Sequence, residues 1–183
     1  MHVLVTVGSR HGSTREIGAG IAQVLERAGH VVEQVDPDEV TSVAGFDAVV
    51  LGSAVYVGRL TESVRALALR LEGALAELPL WLFWSGPIGS PPRPDIEPDD
   101  VGYLARRLHP RDVRVFGGCL EPGALEMAER SQRAAADIAA GDFRDFAEID
   151  LWADEIAGEL RATLPHPAAF GPSSEWHGLR SAR

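Results

Sequence analysis

The 183-residue chain contains no lysine. Its fixed positive charge sits on arginine alone, so a phosphate loop of the G-x-x-x-x-G-K-[ST] type is excluded. It has a single cysteine, Cys119, which rules out an intrachain disulfide and a CxxC metal site. Positive charge is also scarce: 17 Lys and Arg against 27 Asp and Glu leave a net charge of −10. That balance argues against nucleic acid or an anionic membrane surface as partner. It suits a small anion held by backbone amides, or docking to a basic partner protein. No apolar run reaches the ~18 residues of a membrane span, and no charged-then-apolar leader is visible. No transmembrane segment is expected, and a reducing cytoplasm is the expected location.

What is present is ordinary in amount and ordered in pattern. Hydrophobic residues make up 45% and charged residues 24% of the chain, as in a soluble domain with a real core. Five short apolar segments alternate with amphipathic ones. The apolar segments are Val3–Val7, Val31–Val35, Phe46–Gly52, Pro79–Ser85 and Val113–Gly118. Helices are expected at Ser13–Ala28, Thr61–Glu77, Pro98–Leu108, Ala124–Ala140 and Ile149–Leu164, the last with Leu151, Trp152, Ile156 and Leu160 inward. Gly29 ends the first helix and Thr61 caps the second. Strands apolar on both faces and alternating with helices predict a parallel sheet covered on both sides, hence an α/β three-layer fold. Residues 1–164 form one domain in this reading, and residues 165–183, rich in Pro, Gly and Ser, a flexible C-terminal tail.

In such a sheet, ligands bind beyond the carboxyl ends of the strands. The loops after strands one, three and four are therefore the candidates. The first is the most telling. The strand Val3–Val7 stops at Gly8, then Ser9, Arg10, His11, Gly12, Ser13 and Thr14 lead into a helix. Helix-start amides point outward unpaired, and the helix dipole favours an anion there. Ser9, Ser13 and Thr14 add hydroxyl donors, and Gly12 lets the backbone approach a ligand. The other two loops are Ser53-Ala54-Val55-Tyr56-Val57-Gly58 and the proline-rich stretch after Ser85 that begins Gly86-Pro87.

Three further phosphate chemistries fail on residues that are missing. No G-x-G-x-x-G follows the first strand, so a dinucleotide site is not indicated. No cysteine stands in the first loop, as a low-molecular-weight tyrosine phosphatase needs. Gly8 and Gly52 occupy the strand ends where a phospho-receiver domain carries acids.

What remains resembles a flavodoxin. Ser9-Arg10-His11-Gly12-Ser13-Thr14 is similar to that family's FMN phosphate loop, [ST]-x-T-G-x-T, with His11 in place of a threonine. The resemblance runs over residues 2–163. It is nearest to the flavodoxin-like menaquinone-dependent protoporphyrinogen oxidases, through the basic residue in the first loop, Gly52–Gly58, Gly117-Gly118 and the Trp-bearing last helix. The resemblance implies a five-stranded parallel sheet of order 2-1-3-4-5. It implies FMN, with its phosphate at Ser9–Thr14 and its ring between loops 53–58 and 85–93, and transfer of electrons or hydride through flavin N5. The redox partner would be a protein or a small donor or acceptor: quinone, porphyrinogen or NAD(P)H. One departure is plain: Glu121–Ala140 is acidic, with only Arg130 and Arg133 basic, and offers no face suited to a bilayer. Two other functions compete: an electron carrier without its own substrate, and a flavodoxin-fold binding module that has lost FMN.

Several single residues carry narrower expectations. Tyr56 either stacks on the flavin or is an exposed loop aromatic. Trp81 and Trp84 read as core. Cys119 reads as a small buried side chain. Arg10 and Arg15 flank the phosphate loop, and Arg93 reads as solvating its loop. Asp95, Glu97, Asp99 and Asp100 read as a solvated acidic face, and Phe143 and Phe146 as pins for the last helix. No metal site is expected.

Overall fold

The computed structural model describes residues 1–86, 96–120 and 141–163. The proline-rich loop from Pro87 to Asp95, the expected helix at Ala124–Ala140 and the expected tail at 165–183 lie outside the described residues.

Five parallel strands form the sheet: β1 (His2–Gly8), β2 (Val31–Gln34), β3 (Ala48–Tyr56), β5 (Leu80–Ser85) and β6 (Asp112–Phe116). Their order is β2-β1-β3-β5-β6, the expected 2-1-3-4-5 of a doubly wound sheet, and the chain has the α/β flavodoxin-like fold. A short strand, β4 (Arg59–Leu60), folds back antiparallel on β3. Beyond β6, β7 (Cys119–Leu120) pairs antiparallel with β8 (Gly141–Asp142). The helices are α1 (Ser13–Arg27), α2 (Glu62–Arg70), α3 (Glu72–Ala76), α4 (Asp99–Leu108) and α5 (Phe146–Thr163).

Strand alternation splits the core into two layers. Val3, Val5 and Val7 face α1 and α5, packing with Ile17, Ile21, Leu25, Trp81, Phe83, Trp152 and Ile156. Leu4, Val49, Leu51, Leu82 and Trp84 face the other way, against Leu60, Val64 and Leu67 and against Val101 and Leu104 of α4. Trp81 and Trp84 are thus core, on opposite faces. In the first layer the rings of Phe83, Phe116 and Trp152 stand 5.6–6.1 Å apart in tilted and edge-on contacts. The Trp152 indole N–H donates to Asp112 at 2.8 Å, tying α5 to β6.

The structure departs from the expected elements in four places. Strand β3 does not stop at Gly52 but continues to Tyr56, because β4 gives its end a second pairing partner. The expected exit loop 53–58 is therefore mostly strand. The expected single helix over 61–77 is two, broken where Leu71 turns to φ −115° and ψ 20°. Leu151 is 65% exposed rather than inward, since the stripe runs through Ile149, Trp152, Ile156 and Leu160. Cys119 is half-buried on β7 rather than enclosed in the core. Among the described residues no helix is long and apolar enough to cross a membrane, and no metal-binding cluster occurs.

Candidate functional site

Register places the strand ends side by side. Gly8 pairs with Ser53, Ala54 with Ser85, and Ser85 with Phe116. The residues after β1, β3 and β5 therefore emerge together at the carboxyl edge of the sheet.

Gly8 stops β1 for a packing reason. A side chain there would fall on Thr61 Oγ1 and come within 2.7 Å of Val64, so its absence lets the start of α2 reach the strand end. The chain then turns through Ser9–Gly12 into α1. Gly12 is the N-cap at φ 91°, a backbone region that L side chains avoid, and a Cβ there would meet none of the described residues beyond its chain neighbours within 4 Å. The N-cap supplies no side-chain hydrogen bond to the helix. The amides of Ser13, Thr14 and Arg15 belong to the first turn, where the helix ladder offers no carbonyl. Glu16 N–H begins that ladder, donating to Gly12 at 3.0 Å.

The loop is internally tied. Ser9 Oγ accepts the Gly12 N–H at 3.1 Å, which leaves the Ser9 hydroxyl proton for another acceptor. Arg10 N–H donates to the Tyr56 hydroxyl at 3.2 Å, and the Arg10 guanidinium lies over the Tyr56 ring at 4.8 Å. His11 stands edge-on to the same ring at 5.7 Å and is exposed to solvent. Thr14 is buried, while Ser9, Gly12 and Ser13 are half-buried. Arg15 reaches back to the Ser9 carbonyl at 3.4 Å and pairs with Asp36 at 3.5 Å.

The other two loops are placed less evenly. Ser53 is fully buried, and its hydroxyl is spent inside the protein. It donates to the Ala54 carbonyl at 2.9 Å, accepts the Thr61 N–H at 3.0 Å, and lies 3.2 Å from Thr61 Oγ1. Thr61 does occupy the N-cap of α2, but its hydroxyl faces Ser53 and Ser63 instead of capping the helix. Ala54 is buried, Val55 and Tyr56 half-buried, and Val57 and Gly58 exposed. Val57 and Gly58 form the two-residue turn between β3 and β4, at φ 53° and 70°. A β-branched residue at positive φ is strained. Ser85 is buried, and its hydroxyl donates to the Gly117 carbonyl at 3.3 Å. Gly86 faces Val55, so a side chain there would press on β3 at 3.1 Å. Pro87 lies outside the described residues.

Two features escaped the sequence reading. Asp100 is not part of a solvated face: its carboxylate takes Arg59 Nε at 2.8 Å and the Leu60 N–H at 3.1 Å, with Arg65 at 3.8 Å. Burial pushes that carboxyl upward, but the Arg59 and Leu60 hydrogen bonds and the two arginine charges outweigh it and hold it below the usual range. The second is Arg144, whose guanidinium bonds the Ser13 carbonyl at 3.0 Å and Glu16 at 2.7 Å. It sits 131 residues from Ser13 in the chain, with no local signal to reveal the contact.

The residues present fit the FMN phosphate. The donor set is a first helical turn without a side-chain cap, preceded by Gly12 at positive φ, beside hydroxyls at Ser9 and Ser13. That set suits a phosphate dianion.

Comparison with known proteins agrees in kind. No curated protein sequence matches the chain. Among solved structures, an archaeal flavodoxin superposes with a TM-score of 0.62 at 12% identity, covering 88% of this chain and 99% of that one. A cysteine-to-serine mutant of the flavodoxin from Pseudomonas aeruginosa gives 0.58 at 16%, covering 88% and 99%. Rubredoxin oxygen:oxidoreductase of Desulfovibrio gigas gives 0.61 at 13%, covering 88% of this chain but only 36% of that protein. These likenesses establish the fold. The profile of the flavodoxin domain matches residues 4–136, so the chain belongs to the flavodoxin domain family.

Proposed function

We propose that the chain binds FMN and passes electrons through it, as a flavodoxin-type carrier serving a protein redox partner. The observation that carries this reading is the first turn of α1, uncapped by a side chain and entered through Gly12 between Ser9 and Ser13. When bound, FMN would supply reversible exchange of electrons or hydride at N5. The chain's own work is to hold and orient it. Amides of Ser13–Arg15, with the hydroxyls of Ser9 and Ser13, receive the phosphate. Val55–Gly58 and Gly86 border the space for the ring, and Tyr56 offers an aromatic face once Arg10 moves aside. Ser53, Thr14 and Ser85 support the loops from beneath. The net charge of −10 suits docking to a basic partner.

The purified protein tests this by its absorption spectrum during stepwise reduction with and without candidate substrates. The carrier reading predicts a flavin spectrum, reversible reduction, and no turnover with porphyrinogen, quinone or NAD(P)H. Turnover of porphyrinogen with quinone would instead support the protoporphyrinogen-oxidase-like reading, which rests on the resemblance at the basic residue of the first loop, Gly52–Gly58, Gly117-Gly118 and the Trp-bearing last helix. A colourless protein that FMN does not stabilise against heat contradicts both and leaves a binding module.

A further inference from the structure

Arg144 lies between β8 and α5, yet its guanidinium ends on the first turn of α1. Its side chain is only 8% exposed, and every arm of the guanidinium is engaged. Nε and Nη2 grip the two oxygens of Asp142 at 2.8 and 2.7 Å. Nη1 donates to the Ser13 carbonyl at 3.0 Å and to Glu16 Oε2 at 2.7 Å. The guanidinium also lies over the Phe146 ring, its carbon 5.1 Å from the ring centre. The Asp142 bonds foremost, and those of Glu16 after them, raise the Arg144 pKa further above its ordinary value against the effect of burial, so it remains a cation.

The base from which Arg144 reaches is itself rigidly placed. Cys119 pairs with Asp142 across β7 and β8, and Phe143 N–H donates to the Gly118 carbonyl at 2.9 Å. A side chain at Gly117 would collide with the Phe143 carbonyl, so this contact requires glycine. Arg144 therefore joins a fixed β6–β8 corner to a helix end that has no side-chain cap of its own.

We infer that Arg144 is the positioning residue of the anion site: by holding the Ser13 carbonyl and Glu16, it keeps the first turn of α1 formed so that its amides stay aimed at the phosphate. This rests on the FMN reading, and it extends it. A helix end without a side-chain cap frays readily. A turn that frays presents its amides only part of the time, and affinity falls by that fraction. Asp142 and Glu16 are 48% and 66% exposed, so both can rehydrate when the guanidinium is removed. The substitution therefore tests positioning without stranding a buried charge.

The test compares the wild type with Arg144→Gln and Arg144→Lys in two measurements. The first is hydrogen exchange in the flavin-free protein. Arg144→Gln is expected to raise exchange at the amides around Ile17 and Gly18, whose ladder begins in this turn, about tenfold, with Lys intermediate. The second is the ratio of riboflavin to FMN dissociation constants, which isolates the phosphate. Arg144→Gln is expected to lower that ratio about tenfold, with riboflavin affinity within about twofold of wild type. The loss is expected to persist at ~0.5 M salt, where simple charge attraction is screened. Unchanged exchange in that turn overturns the proposal, as does a loss shared equally by FMN and riboflavin. So does an effect that vanishes in salt. A wild-type ratio near one overturns the FMN phosphate reading instead, and the exchange measurement, which uses no flavin, still decides whether Arg144 holds the turn.

Discussion

Arg10 and Tyr56 are joined twice: the Arg10 N–H donates to the Tyr56 hydroxyl at 3.2 Å, and the Arg10 guanidinium lies 4.8 Å over the Tyr56 ring. The first loop is thereby closed onto the end of β3. A flavin ring that stacks on Tyr56 from this side displaces the guanidinium. Tyr56→Ala is expected to weaken FMN binding about 3- to 10-fold, the range of one aromatic contact. Tyr56→Phe keeps the ring and is expected to stay within about twofold. Titration by quenching of flavin fluorescence reads both.

The turn between β3 and β4 carries strain that can be removed. Val57 holds φ 53° although it is β-branched, and it is 57% exposed. Its side chain therefore gives little burial in return for about 1 kcal/mol of backbone cost. Val57→Gly is expected to raise the melting temperature by about 2–4 °C. A decrease would show that the Val57 side chain contributes packing to the folded state.

Gly8 is the opposite case. An added methyl group would meet Thr61 Oγ1 and the Val64 side chain, both on a well-packed face. Gly8→Ala is expected to destabilise the fold by about 1–3 kcal/mol, as overpacking does. Denaturant unfolding, read as a lower midpoint at constant slope, checks it. The Ser53–Thr61 hydroxyl pair at 3.2 Å would be displaced with it.

His30 makes stability depend on pH. It is buried, and neither ring nitrogen has a hydrogen-bond partner among the described residues. Burial first, then the N-terminal ammonium and Arg161, lower its pKa, while the Ala157 carbonyl, short of hydrogen-bonding geometry, acts weakly the other way. A lowered folded-state pKa means that the unfolded chain binds the proton more readily. Stability is then complete above about pH 6.5 and is lost as pH falls from there toward the folded pKa. Melting temperatures between pH 5 and 7.5 are expected to decline more steeply in the wild type than in His30→Gln. Parallel profiles would remove His30 from the account.

Much of the frame was legible because it is written locally. The runs Val3–Val7 and Leu80–Phe83 are buried on both sides, and the periodic stripe Ile17, Ile21, Leu25 is one face of α1. Strand order followed from the resemblance. The end of β3 was not legible, since its extension to Tyr56 depends on pairing with Arg59 and Leu60 rather than on its own residues. Ser53 was placed at the site as the first residue of the 53–58 loop, and only the approach of Thr61 shows its hydroxyl spent internally. Asp100 looked solvated among its acidic neighbours, and Arg59, 41 residues away, draws it in. The reach of Arg144 to α1 had no local signal: Asp142 is two residues away, but Ser13 and Glu16 lie at the other end of the chain.

The central claim is that the turn from Ser9 to Thr14 holds the phosphate of FMN. Parallel titration of the flavin-free protein with FMN and riboflavin tests it most directly, since the two ligands differ only by that group. The account predicts FMN binding at least about tenfold tighter than riboflavin, from charge-assisted bonds to the helix start. Equal affinities, or no binding of either flavin, would contradict it.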